Sequence, residues 1–156
     1  LDELRDLTQG ALAEMRTLLL ELRPGALAGR RLSDLLHQLT AAMSARTDLP
    51  ITATVSGDLT LPEEVKIAFY RIAQEALNNI TKHARATQTR LILHCEPALV
   101  RLRISDDGLG FDPDSTQPQQ LGMRIMRERA EAIGAKLTVD SQPGHGTRIE
   151  VEWFGS

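Results

Sequence analysis

The residues with the most chemical potential are two carboxylates, an asparagine pair and a threonine. Glu75 and Asn79 stand four residues apart, so on a helix a carboxylate and an amide oxygen point the same way. Such a pair can hold a water and a hard cation such as magnesium, which takes oxygen ligands. Glu64, Arg71, Asn78 and Lys82 share that face at helical spacing, while Phe69, Ala73, Ala76, Leu77 and Ile80 lie opposite. The alternative is a solvated face. Against it, Asn78-Asn79 is an unusual choice for a helix interior, because asparagine competes for backbone hydrogen bonds and favours caps and turns.

Asp106 is placed by strand parity. Val100, Leu102 and Ile104 alternate with Arg101, Arg103 and Ser105, so the first set faces the core. Continued, the register turns Asp106 inward and Asp107 outward. An inward carboxylate is costly unless paired or hydrogen-bonded. Gly108-Leu109-Gly110 follow, which let the backbone turn and approach a ligand closely. An ordinary Asp-rich turn accounts for Asp107 and Gly108 but not for Asp106. In the last strand Ile149, Val151 and Trp153 take the core side and Arg148, Glu150 and Glu152 the outer one. Thr147 therefore points inward, directly after Gly144-His145-Gly146. A carboxylate and a hydroxyl turned inward beside glycine turns can read an exocyclic amine on a ring, the carboxylate accepting from the amino group. Asp106, Thr147 and the Glu75–Lys82 face together could house a nucleotide, with the base at the strands and phosphates and magnesium at the helix.

The elements that must position these groups are readable in order. Leu1, Leu4, Thr8, Ala11, Met15, Leu18 and Leu22 form a heptad seam, widened by Leu7, Leu12 and Leu19 and ended by Pro24-Gly25. It reads either as a helix folded onto its own domain or as half of a dimerisation hairpin. Leu32, Leu35, Leu36, Leu39, Ala42 and Met43 mark a second helix, and Ile51, Ala53 and Val55 a strand. A third helix is expected from Pro62 to about Ala84, with Glu63 and Glu64 favourable in its first turn. Strands Thr89–Glu96 and Leu99–Ser105 are joined at Pro97-Ala98. Residues 106–120 read as loop, Leu121–Ile133 as a helix stopped by Gly134, and Lys136–Ser141 and Thr147–Trp153 as two final strands. Short turns between adjacent strands imply an α+β fold, a mixed and largely antiparallel sheet covered on one face by helices.

Composition removes several function classes. The chain has 156 residues, a net charge of −3, one cysteine and 3% aromatic residues. A mildly acidic, aromatic-poor chain lacks the footprint of a nucleic-acid binder. A single cysteine, Cys95, makes no internal disulfide or thiolate metal site, and its parity with Leu91 and Leu93 makes it a small core residue. His94 then falls on the outer face. His37, His83, His94 and His145 show no zinc spacing. No apolar run is long enough to span a membrane. No GxxxxGK[ST] loop, GxGxxG after a strand or GxSxG elbow is present. Starting at Leu1 within an apolar helical pattern, the chain is expected to be a piece of something longer.

Taken together, these pieces resemble the ATP-binding domain of sensor histidine kinases, of the superfamily that includes DNA gyrase and a heat-shock chaperone. Residues 75–84, Glu-Ala-Leu-Asn-Asn-Ile-Thr-Lys-His-Ala, look like the N box, Asp106 to Gly110 like the D-x-G-x-G box, and Gly144 to Thr147 like the G-x-G-T box. Residues 121–130 resemble the G-x-x-x-M-R-E-R-A segment of the nitrate-sensor and LiaS-like subfamily, and Leu1 to Leu27 the close of its dimerisation and phosphotransfer hairpin. The resemblance implies an α/β sandwich of the Bergerat type over residues 28–156, preceded by a hairpin helix over 1–27. It implies ATP and Mg2+ as ligands, with Asn79 on the metal and Glu75 as the catalytic carboxylate that orients water or accepts a proton. Lys82 and His83 would contact phosphates. Asp106 would bind the adenine amino group, supported through water by Thr147. Gly108 and Gly110 would line the base pocket, Gly144 and Gly146 belong to the terminal box, and Gly122 would hinge the lid. Implied partners are the protein's own phosphotransfer helix, a response regulator and a second copy, with no nucleic acid or membrane contact by these residues. The domain would be cytoplasmic, in a parent protein that can be membrane-anchored. The family's acceptor histidine is followed by an acidic residue, whereas His37 precedes Gln38, so these residues alone are expected not to autophosphorylate. A serine kinase of the anti-sigma class and a nucleotide-binding interaction domain without kinase activity are the competing readings.

Overall fold

The computed structural model of the chain describes residues 3–5, 8, 27, 29–57, 59–114 and 119–155. The chain divides into two compact units, Leu1–Arg30 and Arg31–Ser156. In the first, Glu3 to Arg5 and Thr8 are helical, and the Thr8 hydroxyl donates to the Leu4 carbonyl. The rest of the expected heptad helix, with its stop at Pro24-Gly25, lies outside the described residues.

The second unit runs α1 (Leu32–Thr47), β1 (Ile51–Ser56), α2 (Glu63–Asn79), a π-helical turn (Ile80–Ala84), β2 (Thr89–Glu96), β3 (Leu99–Asp106), α3 (Gln119–Ala132), β4 (Lys136–Ser141) and β5 (Thr147–Phe154). The strands form one sheet in the order β1-β2-β3-β5-β4. Only β1 and β2, joined through α2, are parallel; the other pairs are antiparallel. This is the mixed sheet that strand order predicts. No helix among the described residues is long and apolar enough to cross a membrane.

The core follows from the period-2 pattern. Ala53, Leu91, Ile104, Ile149 and Val139 form one row across the five strands, and Val55, Leu93, Leu102, Val151 and Leu137 the next. Phe69, Ile72, Ala73, Ala76 and Leu77 of α2 are fully enclosed, and Met123, Met126 and Ala130 of α3 are buried at helical spacing. Each large side chain enclosed in this way contributes about 1.5–3 kcal/mol. Cys95 pairs with Val100, and Val100 with Trp153, at the far end of the sheet, so the cysteine is half-buried rather than enclosed. The outer sheet face carries charge, with Arg101 on Glu152 at 3.1 Å and Arg103 on Glu150 at 2.7 Å. His94 lies there as well, linking the Ser56 hydroxyl at 2.6 Å to the Glu96 carboxylate at 2.8 Å.

The end of α2 departs from the simple helix. It remains α-helical to Asn79 and then widens into the π turn. Asn78 and Asn79 thus stand at a junction and not in mid-helix, which is where asparagine is tolerated. Arg85 closes the turn at φ 50°. α3 starts at Gln119, earlier than Leu121, because the Gln120 side-chain amide donates to the Pro113 carbonyl at 2.7 Å and ties the preceding loop to the helix. It ends where Gly134 (φ 71°) donates to the Glu131 carbonyl at 3.0 Å and Ala135 to that of Ala130 at 2.9 Å, a left-handed C-terminal cap.

Candidate functional site

The site grows from the end of β3. Asp106 is that strand's last residue and stands opposite Thr89 on β2 and Thr147 on β5. One of its oxygens, Oδ1, accepts from the Gly108 N–H at 2.8 Å; the other, Oδ2, is buried with no hydrogen-bond partner. Burial pushes this carboxyl above the usual carboxylate range, the Gly108 N–H opposes the shift, and the charge of Asp107 adds to it. Asp107 behaves in the opposite way. It faces solvent, accepts from the Thr87 N–H at 2.8 Å, the Gln88 N–H at 3.1 Å and the Thr87 hydroxyl, and is held below the usual range chiefly by that hydroxyl. Parity separated the two residues correctly: Asp107 ties a loop together, while Asp106 offers an unused acceptor.

The glycine loop after Asp106 is held on both sides. Leu109 N–H donates to the Ala84 carbonyl at 2.7 Å, and Gly144 N–H donates to the Leu109 carbonyl at 2.6 Å. A methyl at Gly108 would overlap the Ala84 carbonyl oxygen, so glycine is what lets the loop reach the π turn. Gly146, at φ 72°, lies against the Asp106 carbonyl oxygen just as closely. The three sequence boxes thus meet through backbone contacts only glycine permits.

They surround a pocket that is partly open to solvent. Asn79, His83, Asp106, Gly110 and Thr147 line it, as the sequence predicts. Its walls are Ala76, Ile80, Ala84, Phe111, Met123 and Ile149. A largely apolar pocket with a carboxylate and a hydroxyl among its lining residues suits a flat heteroaromatic ring bearing an amino group, because the ring faces need no partners and the amine has an acceptor. The unpartnered Asp106 Oδ2 makes the residues fit such a ligand.

The remaining predicted residues do not line this pocket; Gly108, expected there with Gly110, packs against the Ala84 carbonyl instead. Glu75 lies one turn before Asn79, and its Oε1 atom would stand 2.6 Å from a methyl at Gly122, as would Asn79 Nδ2 at 2.8 Å. Gly122 is therefore buried inside α3, where it makes room for those two side chains. Asn79 Nδ2 is buried with no partner. An amide so placed beside a carboxylate fits a hard cation through its oxygen. Lys82 is exposed on the π turn, and Gly144 is exposed in the β4–β5 turn at φ 85°.

Sequence reasoning missed four residues. Phe111, Met123 and Ile149 form much of the apolar wall, and only Ile149 had been assigned to the core. Ser141 is 7% exposed and bonds to Phe111 N–H at 2.9 Å, Gly146 carbonyl at 3.1 Å and Thr147 Oγ1 at 2.8 Å. Its signal was available: as the last residue of β4 it stands opposite Thr147 on β5.

Known proteins share this arrangement. The family model described as histidine kinase-, DNA gyrase B- and HSP90-like ATPase matches residues 64–154. Sensor protein VraS of Staphylococcus aureus (strain COL) is 34% identical over 149 residues, which are 96% of this chain and 43% of VraS. The chain thus spans less than half the length of that curated relative. The histidine kinase domain of the Erythrobacter litoralis EL346 blue-light activated histidine kinase superposes with a TM-score of 0.62 at 25% identity, over 78% of this chain and 60% of that one. Full-length ShkA in complex with AMPPNP shares the fold, with a TM-score of 0.66 at 24% identity over 98% of this chain and 38% of that one. With the three boxes gathered on one pocket and the match running from α2 through β5, the chain belongs to the histidine kinase-, DNA gyrase B- and HSP90-like ATPase family.

Proposed function

We propose that the chain is the ATP- and magnesium-binding catalytic part of a two-component sensor histidine kinase, which passes the γ-phosphoryl group of ATP to a histidine outside these residues and thence to a response regulator. The observation that carries this reading is the buried, unpartnered Oδ2 of Asp106 on a largely apolar pocket. In this reading Asp106 accepts from the adenine amino group, Thr147 supports it, and Gly108 and Gly110 shape the loop beside the base. Asn79 holds magnesium, Glu75 beside it orients the attacking group or takes its proton, and Lys82 and His83 meet the phosphates. Phosphoryl transfer depends chiefly on positioning and charge neutralisation. Magnesium, when bound, supplies charge neutralisation at the phosphates, and Lys82 adds a second cation from the π turn.

Residues 1–27 would then close a dimerisation and phosphotransfer hairpin, with residues 28–156 as the ATP-binding domain and a homodimer as the working form. His37 accepts at its backbone carbonyl from the Thr40 hydroxyl in α1, and it is followed by glutamine instead of an acid. These residues alone accordingly leave His37 unphosphorylated. The test is phosphorylation with γ-labelled ATP of this chain and of the longer parent protein. Acid-labile label on the parent alone, lost in Asp106→Asn and Asn79→Asp, is the expected result. Acid-stable label would support a serine kinase and overturn the reading, and stable phosphohistidine at His37 would overturn its assignment of the acceptor.

A further inference from the structure

We propose that Ser141 is a positioning residue for base recognition: it holds the Thr147 hydroxyl proton away from the pocket, so that Asp106 and Thr147 present only acceptors and select a 6-aminopurine over a 6-oxopurine. The inference rests on the nucleotide reading above and extends it to a residue outside the three boxes.

A serine hydroxyl has one proton to donate and lone pairs that accept. Ser141 Oγ has three neighbours. The Phe111 N–H at 2.9 Å can only donate to it. The Gly146 carbonyl at 3.1 Å can only accept, so it takes the single Ser141 proton. Only with Thr147 Oγ1, at 2.8 Å, as the donor to Ser141 are all three contacts hydrogen bonds, and that assignment is the one the proposal takes. The Thr147 proton is thereby committed outside the pocket, and only lone pairs remain to face the cavity that Thr147 lines. Directly across the strand pair, Asp106 adds Oδ2, an acceptor with no partner. Two acceptors side by side match an amino group, which brings two N–H donors. A 6-oxo group sets its own lone pairs against both.

The test measures dissociation constants for ADP and for inosine diphosphate by titration calorimetry on the full chain, at about pH 8, well above the carboxylate range. The parent binds ADP more tightly. Ser141→Ala frees the Thr147 hydroxyl to turn and donate into the pocket, so the ADP preference falls by about tenfold, the size of one hydrogen bond. Ser141→Cys keeps the volume with a weaker partner and reads the same ratio if the alanine variant does not fold. Thr147→Val removes the acceptor without creating a donor, so ADP affinity falls and inosine diphosphate affinity does not rise. An unchanged preference in a folded Ser141 variant overturns the role of Ser141 and leaves the nucleotide reading standing. A parent chain that binds neither nucleotide overturns both.

Discussion

Replacing Asp106 with asparagine should move stability and ligand binding in opposite directions. The amide oxygen can keep the Gly108 N–H bond made by Oδ1, now 2.8 Å, and an uncharged NH2 replaces the buried, unpartnered Oδ2. An unsatisfied buried acceptor costs roughly 1–3 kcal/mol, more when charged, so removing the charge stabilises the free chain by about 1 kcal/mol. For a chain of this size that corresponds to a melting temperature about 2–4 °C higher. The sign of the pH dependence follows from the raised carboxyl. Below its ordinary value of 3.8 Asp106 is protonated in both states and costs nothing; above its raised folded value the cost is fully present. The stability gain therefore exists at neutral pH and vanishes in acid. Binding suffers instead, because a charge-assisted bond of about 1.5–3 kcal/mol is lost and a donor now faces the amine, weakening ATP-analogue affinity roughly 10- to 150-fold. Calorimetric melting and titration on the same samples decide it. A variant less stable than the parent would make Asp106 a structural residue, and undiminished affinity would remove it from the pocket.

Gly122→Ala places a methyl 2.6 Å from Glu75 Oε1 and 2.8 Å from Asn79 Nδ2, the ends of flexible side chains that can shift. Alanine also gains about 1 kcal/mol of helix propensity over glycine. The melting temperature should thus change little, while the magnesium-dependent increment in nucleotide affinity drops; titration with and without magnesium reads it, and an unchanged increment refutes the placement. Asp107→Asn tests the loop tie. The folded carboxyl lies below its ordinary 3.8, so it stabilises above that value and the contribution is lost as pH falls through the lower folded value. Acid melting curves should flatten below about pH 4 in the variant relative to the parent; identical curves would show that the Thr87 and Gln88 contacts contribute nothing.

Most of the sheet and half of the pocket could be read from residue order because they obey local rules. Parity over Val100 to Ile104 set Asp106 inward, and the same parity over Ile149 to Trp153 placed Thr147 beside it. The heavy use of glycine from Gly108 to Gly146 pointed to close backbone approach, although which carbonyls were approached, those of Ala84 and Asp106, needed the fold. The π turn was illegible because widening a helix by one residue per turn leaves the 3.6-residue pattern almost unchanged over Ile80–Ala84. The tight packing at Gly122 was illegible because it depends on Glu75 and Asn79, more than forty residues earlier in the chain. Ser141 was missed for a related reason. Its three partners come from one strand end, the turn before it and a loop, and the β4–β5 register brings Ser141 to them.

The central claim is that this pocket reads a purine amine through Asp106. A crystal structure of the chain with ADP and magnesium tests it most directly. The expected result is the exocyclic amine within about 3 Å of Asp106 Oδ2, with the base in the pocket lined by Ile80, Phe111 and Ile149. A nucleotide bound with its base elsewhere, or with Asp106 Oδ2 still unpartnered, would contradict it.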